Sequence, residues 1–277
     1  MPSQAWQRAV DRSAGADPQA RIVVVDVATG KLLAASHLAE ASQTLAAPGS
    51  ALKPIVLYGL LKSARCNPQQ RVACDRKLSV ARHRLACSHP ATAPFDAQEA
   101  LAWSCNSYFA ALARSIHPGQ LDELLRPSGL LAASGLSRSE AIGEYREPRS
   151  AESMELAVLG VEGIRVTPLE LAQAYRWLAE ELAGNSASPA AQTVRAGLAD
   201  SASFGIAGAA SLGGVPVLGK TGTAEGAQTS KTHGWFVGIA PADHPQVVLA
   251  VYVPTGHGAD AARVAGRLLA SSPLRKP

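Results

Sequence analysis

No stretch of this 277-residue chain approaches the roughly 20 consecutive apolar residues of a membrane span, although 47% of its residues are hydrophobic. That content suits one large domain, or two lobes sharing a core. The opening residues, Met1-Pro2-Ser3-Gln4-Ala5-Trp6-Gln7-Arg8, hold no apolar h-region, so no signal peptide is read there. Charge of one sign is not concentrated either. The net charge is +4, and Lys and Arg are scattered rather than striped, which argues against nucleic acid as a partner. Cysteine is scarce, with Cys66, Cys74, Cys87 and Cys105 and no C-x-x-C spacing. Their spacing relative to the histidines is not read as a zinc motif, so no zinc site and no cofactor are expected. Asparagine occurs only as Asn67, Asn106 and Asn185, which makes any motif containing it informative.

Against that background three short motifs stand in order: Ser50-Ala51-Leu52-Lys53, Ser104-Cys105-Asn106 and Lys220-Thr221-Gly222. They spell S-x-x-K, S-x-N and K-T-G, the parts of a serine acyl-transfer site that uses lysine where other hydrolases use histidine. Ser50 opens a helical pattern, where free backbone N–H groups favour negative charge. Lys53 lies one turn on, within reach of the Ser50 hydroxyl. Pro54 fits only the first turn of a helix, so the helix begins at or just before Ser50. To act as a base Lys53 must be neutral, which burial and a cationic neighbour favour; Lys220 is expected to be that neighbour. Ser104 is placed to relay a proton, and the Asn106 amide to hold a substrate carbonyl. Lys220 and Thr221 suit a substrate carboxylate. Gly222 allows close approach to its strand. The N–H groups of Ser50 and Thr223 make an expected oxyanion hole.

The surrounding pattern gives the architecture. Residues 21–27 and 32–36 read as a strand hairpin. Asp96 and Glu99 form a capping box ahead of a helix that breaks at Ser104-Cys105-Asn106 and resumes to Ile116. Residues 121–131, 154–159 and 168–182 read as helical, and 183–191 as a Ser/Pro/Ala-rich connector. Residues 215–224, 234–240 and 246–253 read as strands, followed by an amphipathic helix over 259–269. The expected class is α+β: a mostly antiparallel five-stranded sheet from both ends of the chain, with an all-α lobe inserted. The α/β lobe is placed at about 1–45 and 192–277, and the helical lobe at about 46–191. Cys74 and Cys87 bracket a basic stretch (Arg76, Lys77, Arg82, His83, Arg84) that reads either as a hairpin stapled by a disulfide or as one with unpaired buried thiols. The cluster is a solvated face or a guide for an anionic partner. His233 and Trp235 are read as packing residues that also stand near the site.

At these residues the chain resembles the transpeptidase domain of penicillin-binding proteins, especially the high-molecular-weight monofunctional kind. Residues 47–54 are similar to that family's PGSTFKP, 104–109 to SCNTYF, 166–172 to VTPLQLA, 219–225 to GKTGTAE and 234–241 to GWFVGFAP. The resemblance spans about residues 21–269, and the Cys74–Cys87 stretch is similar to a cysteine-bracketed hairpin of elongation-type members. It implies a five-stranded sheet with flanking terminal helices packed on an all-α lobe. It also implies attack by Ser50 on the D-Ala-D-Ala bond of peptidoglycan stem peptides, and acylation of Ser50 by β-lactams. Cell-wall synthesis proteins are the implied protein partners, and the periplasmic face of the cell envelope the implied location. A serine β-lactamase shares these motifs, and Gly234-Trp235-Phe236-Val237-Gly238 is similar to class D enzymes. Neither Glu-x-x-Leu-Asn nor Tyr-Gly-Asn is present to activate water, however. A non-enzymatic β-lactam sensor is the third reading.

Overall fold

The structure, a computed structural model, describes residues 4–74, 76–90, 94–225 and 231–274. A helix α1 (Gln4–Gly15) leads into strands β1 (Arg21–Asp26) and β2 (Leu32–Ala35). A short α2 (Leu38–Gln43) and a 3-10 turn (Gly49–Leu52) precede α3 (Lys53–Lys62). The hairpin β3 (Lys77–Val80) and β4 (His83–Ala86) follows, then α4 (Ala97–Ala102), α5 (Asn106–Ala113) and α6 (Gln120–Leu125). The two-residue strands β5 (Glu144–Tyr145) and β6 (Ile164–Arg165) flank α7 (Ala151–Val158). Two long helices, α8 (Pro168–Gly184) and α9 (Pro189–Ser203), lead to β7 (Leu218–Glu225), β8 (Thr232–Ala240) and β9 (Val247–Val253). The helix α10 (Gly258–Ala270) comes last.

The main sheet has the order β2-β1-β9-β8-β7, and every pairing is antiparallel. Strand side chains alternate between faces, and here both faces are covered. Ile22, Val24, Leu249, Val251 and Phe236 pack beneath α1 and α10. Val23, Val25, Val248, Ala250 and Trp235 join the core of the helical lobe. Burial on both sides explains why β1 reads as an unbroken apolar run instead of an alternation. The β7 strand ends the sheet, so one of its edges is unpaired within it. Among the described residues no helix is long and apolar enough to cross a membrane.

Helix starts follow their capping chemistry. Asp96 and Glu99 form the expected capping box, and Thr167 with Glu170 forms another ahead of Pro168. The stretch read as a connector contains a helix start instead. The Ser188 side chain accepts from Ala191 N–H, and Pro189 occupies the first turn of α9. The expected lobe boundary at 191/192 therefore falls inside α9. Gly197 of α9 lies so close to α4 that a Cβ there would stand 2.9 Å from Leu101 Cβ, which ties this helix to the helical lobe.

Candidate active site

Ser50 sits on the 3-10 turn ahead of α3, and glycines let that turn pack tightly. A Cβ on Gly222 would lie 2.3 Å from the Pro48 carbonyl oxygen, so β7 approaches the turn only because residue 222 is glycine. Gly49 has φ +53 and donates its N–H to Gly160 O at 2.9 Å. The Ala47 carbonyl accepts from both His233 Nε2 (2.8 Å) and Trp235 Nε1 (2.9 Å). Burial keeps the His233 pKa below its usual value and the ring neutral. Tyr175 on α8 donates its hydroxyl to Ala51 O at 2.7 Å, in full burial. The Ser50 turn is thus clamped by β7, β8, α8 and the loop after α7, and His233 and Trp235 do more than pack.

Lys53 is fully buried. Its Nζ donates to Ser104 O (2.9 Å), Ser104 Oγ (3.3 Å) and Asn106 Oδ1 (2.7 Å). It also stands 5.0 Å from the centre of the Phe109 ring. Burial pushes its pKa from 10.5 to about 8, against the opposing pull of Cys87, Cys105 and Cys74. The α4–α5 break lies where expected, and Ser104 occupies it with φ +56, a left-handed conformation rare for a residue with a Cβ. Strain of this kind concentrates at functional positions.

The contacts of the two lysines correct one expectation, that a cationic Lys220 lowers the Lys53 pKa. Among the described residues no hydrogen bond joins Lys53 Nζ to the Ser50 hydroxyl, because Nζ is directed at Ser104 and Asn106. The fully buried Lys220 Nζ donates to Thr221 O at 3.2 Å, and Ser104 is served by Lys53. A cationic Lys220 does not set the Lys53 pKa. Burial lowers both, and the charge of Lys53 drives Lys220 further down.

A cleft of about 570 Å³ brings together Ser50, Ser104, Asn106, Thr221 and Thr223. Gly222 lies behind it under the Ser50 turn, and Lys220 is buried in the same strand. Thr223 Oγ1 accepts from Gly258 N–H at 2.9 Å, which ties the motif strand to the start of α10. The opposite wall is the β3–β4 hairpin, which contributes Arg82, His83 and Arg84. Sequence reasoning set that hairpin apart from the site.

It also missed a second cluster. Cys74, Cys87, His89 and Cys105 have ligand atoms that all lie within 4.8 Å of one another. Cys74 and Cys87 Sγ are 3.6 Å apart and unbonded, so the pair is not a disulfide here. A tetrahedral zinc with bonds of about 2.3 Å to sulfur needs ligand atoms roughly 3.5–4 Å apart, so shifts of under about 1 Å would let this set hold one. Pro90 O lies 2.7 Å from His89 Nδ1, which leaves Nε2 directed at Cys74 Sγ, 3.3 Å away. The Cys87 thiol is pulled down by the neighbouring Cys105 thiol, aided by Asn106 N–H, Cys74 and Lys53, and Cys105 is pushed up. Four protein ligands leave no open position, so a metal held there would be structural, joining the hairpin base to the start of α5. The expectation of no metal site rested on sequence spacing, and the fold supplies the missing proximity. The available signal was Cys105 inside the S-x-N motif together with the Cys87-x-His89 pair.

The family model of the penicillin binding protein transpeptidase domain matches residues 20–271. No curated protein matches the chain in sequence. Among solved structures, a peptidoglycan glycosyltransferase from Burkholderia ambifaria is 21% identical with a TM-score of 0.81, over 98% of this chain and 94% of that one. The apo TP domain of penicillin-binding protein 3 from Burkholderia pseudomallei is 23% identical with a TM-score of 0.80, over 96% and 90%. Pseudomonas aeruginosa PBP2 in complex with WCK 5153 is 21% identical with a TM-score of 0.80, over 98% and 74%. At these identities the likeness is one of fold.

Proposed function

The chain belongs to the penicillin-binding protein transpeptidase family, and on that footing we propose that it is a serine D,D-transpeptidase or carboxypeptidase of peptidoglycan synthesis. Its substrate is a stem peptide ending in D-Ala-D-Ala, and its place of work the periplasmic face of the cell envelope. Neutral Lys53 takes the Ser50 proton, and Ser50 Oγ attacks the carbonyl carbon of the penultimate D-Ala. The N–H groups of Ser50 and Thr223 receive the developing oxyanion. The C–N bond then breaks, and the departing D-alanine amine gains the proton from Lys53 through Ser104. In the second half an amine of another stem peptide, or water, attacks the Ser50 ester. Its proton returns through Lys53 to the Ser50 oxygen as the ester bond breaks. Asn106 holds the peptide carbonyl on the acyl side. Thr221, Thr223 and Lys220 receive the terminal carboxylate, whose arrival favours the charged form of Lys220.

The observation that carries this reading is the buried Lys53, one turn from Ser50, bonded to both Ser104 and Asn106. Catalytic hydrogen bonds often tighten only in the substrate complex, so the missing Ser50–Lys53 bond is expected to form there. The test is mass spectrometry after incubation with a fluorescent penicillin. A single slow-released adduct mapped to Ser50 is expected. An adduct on another serine, or no adduct on folded protein, would refute the assignment. Rapid nitrocefin turnover would make the protein a β-lactamase.

A further inference from the structure

The hairpin opposite Ser50 is held at both ends. At its base Asn106 Nδ2 donates to Ala86 O (3.3 Å), and Asn106 N–H points at Cys87 Sγ (3.2 Å). At its tip Glu162 receives Arg82 Nη2 (2.5 Å) and His83 Nε2 (2.8 Å). Glu162 thus neutralises the tip and pins the β4 strand as a wall of the cleft. Arg84 stands between these anchors. It lines the cleft, is exposed, and its side chain forms no hydrogen bond or ion pair among the described residues. Residues two apart on a strand share a face and lie about 7 Å apart. The Arg84 side chain therefore projects on the same face as Ala86, whose carbonyl touches Asn106. The one carboxylate among the described lining residues, Glu225, stands on the opposite wall at the end of β7.

We propose that Arg84 is a specificity-determining residue that reads a carboxylate on the side chain of the acyl-donor peptide, upstream of the bond attacked by Ser50. This rests on the function proposed above. If Asn106 holds the peptide carbonyl on the acyl side, the next one or two residues of an extended peptide run along β4, at about 3.3 Å each, and come within reach of the guanidinium. The substrate's terminal carboxylate is met on the other wall by Thr221 and Thr223, so Arg84 is free for a second one. Its planar fork of donors matches a carboxylate in two parallel bonds, which a point-charge ammonium does not.

Carbenicillin and benzylpenicillin differ by one side-chain carboxylate and share the ring carboxylate, so the ratio of their Ser50 acylation rates isolates the second charge. That ratio should fall roughly 2- to 5-fold in Arg84→Gln, the range for one exposed ion pair. It should fall further in Arg84→Glu, fall less in Arg84→Lys than in Arg84→Gln because lysine keeps the charge but loses the fork, and decline in the parent protein at 1 M salt, where screening reaches about 3 Å. A ratio equal in all four proteins would overturn the role of Arg84 while leaving the Ser50 chemistry intact. Failure of both penicillins to acylate the parent would overturn the reading of the site, and the Arg84 proposal with it.

Discussion

The lowered pKa of Lys53 has consequences for rate and stability that separate cleanly. With a pKa of about 8, roughly one tenth of Lys53 is neutral at pH 7; an ordinary lysine at 10.5 would be neutral about 300-fold less often. The second-order rate of Ser50 acylation by benzylpenicillin should therefore rise about tenfold per pH unit below 8. It should reach half its maximum near 8 and level off above. Lys53→Arg keeps the charge but cannot lose its proton, and should cost about 10²–10⁴ in rate. The same shift bears on folding. Below about pH 8 Lys53 is protonated in both folded and unfolded chains, and the buried charge costs the fold about 3 kcal/mol. Between about 8 and 10.5 the unfolded chain binds more protons, so stability rises with pH across that window and the cost is gone above it. Lys53→Met removes this dependence and leaves Ser104 O and Asn106 Oδ1 short of a donor, a pH-independent loss of about 1–3 kcal/mol. Urea denaturation of parent and variant at pH 7 and pH 10 should show the parent gaining up to about 3 kcal/mol relative to the variant. An acylation profile flat from pH 6.5 to 9.5, or inflecting only near 10.5, would refute the assignment of Lys53 as a base poised by burial.

Three further outcomes follow from particular contacts. Gly222→Ala sets a Cβ against the Pro48 carbonyl and should cost at least the 1–3 kcal/mol of overpacking, with a matching loss of acylation; an unchanged melting temperature and rate would show that the turn yields freely. Tyr175→Phe removes the buried bond to Ala51 O and should lower stability by about 1–3 kcal/mol, read by urea denaturation, with acylation reduced less than in Gly222→Ala. Reduced protein should take up one zinc per chain, and Cys87→Ser should weaken that binding by more than the 10–100-fold typical of outer-shell partners. Elemental analysis and the shift in melting temperature on chelation measure this; a chain that binds no zinc and forms a Cys74–Cys87 disulfide in air would count against the donor set.

What was legible in the sequence, and what was not, divides along the range of the interactions concerned. The hairpin β1–β2, the strands β7 to β9 and the capping box at Asp96 rest on local pattern and local hydrogen bonds, and each stands where the periodicity put it. The α9 helix escaped because Ser188 and Pro189 serve equally as loop residues and as a helix start; what decides is the packing of Gly197 on Leu101, nearly a hundred residues away in the chain. Motif spacing foretold the company of Ser50, Lys53, Ser104 and Asn106, but not the direction of a flexible side chain. Lys53 turns to two carbonyl-type oxygens and one hydroxyl because a buried ammonium needs every acceptor it can find. Lys220, given only the Thr221 carbonyl, is driven towards the neutral form instead. The thiol cluster is the extreme case, since Cys74, Cys87 and His89 come from the hairpin and Cys105 from the helix break. Their meeting fixes Asn106 through Cys87, so the hairpin that looked like a solvated surface feature is fastened directly to the wall that carries Ser104 and Asn106.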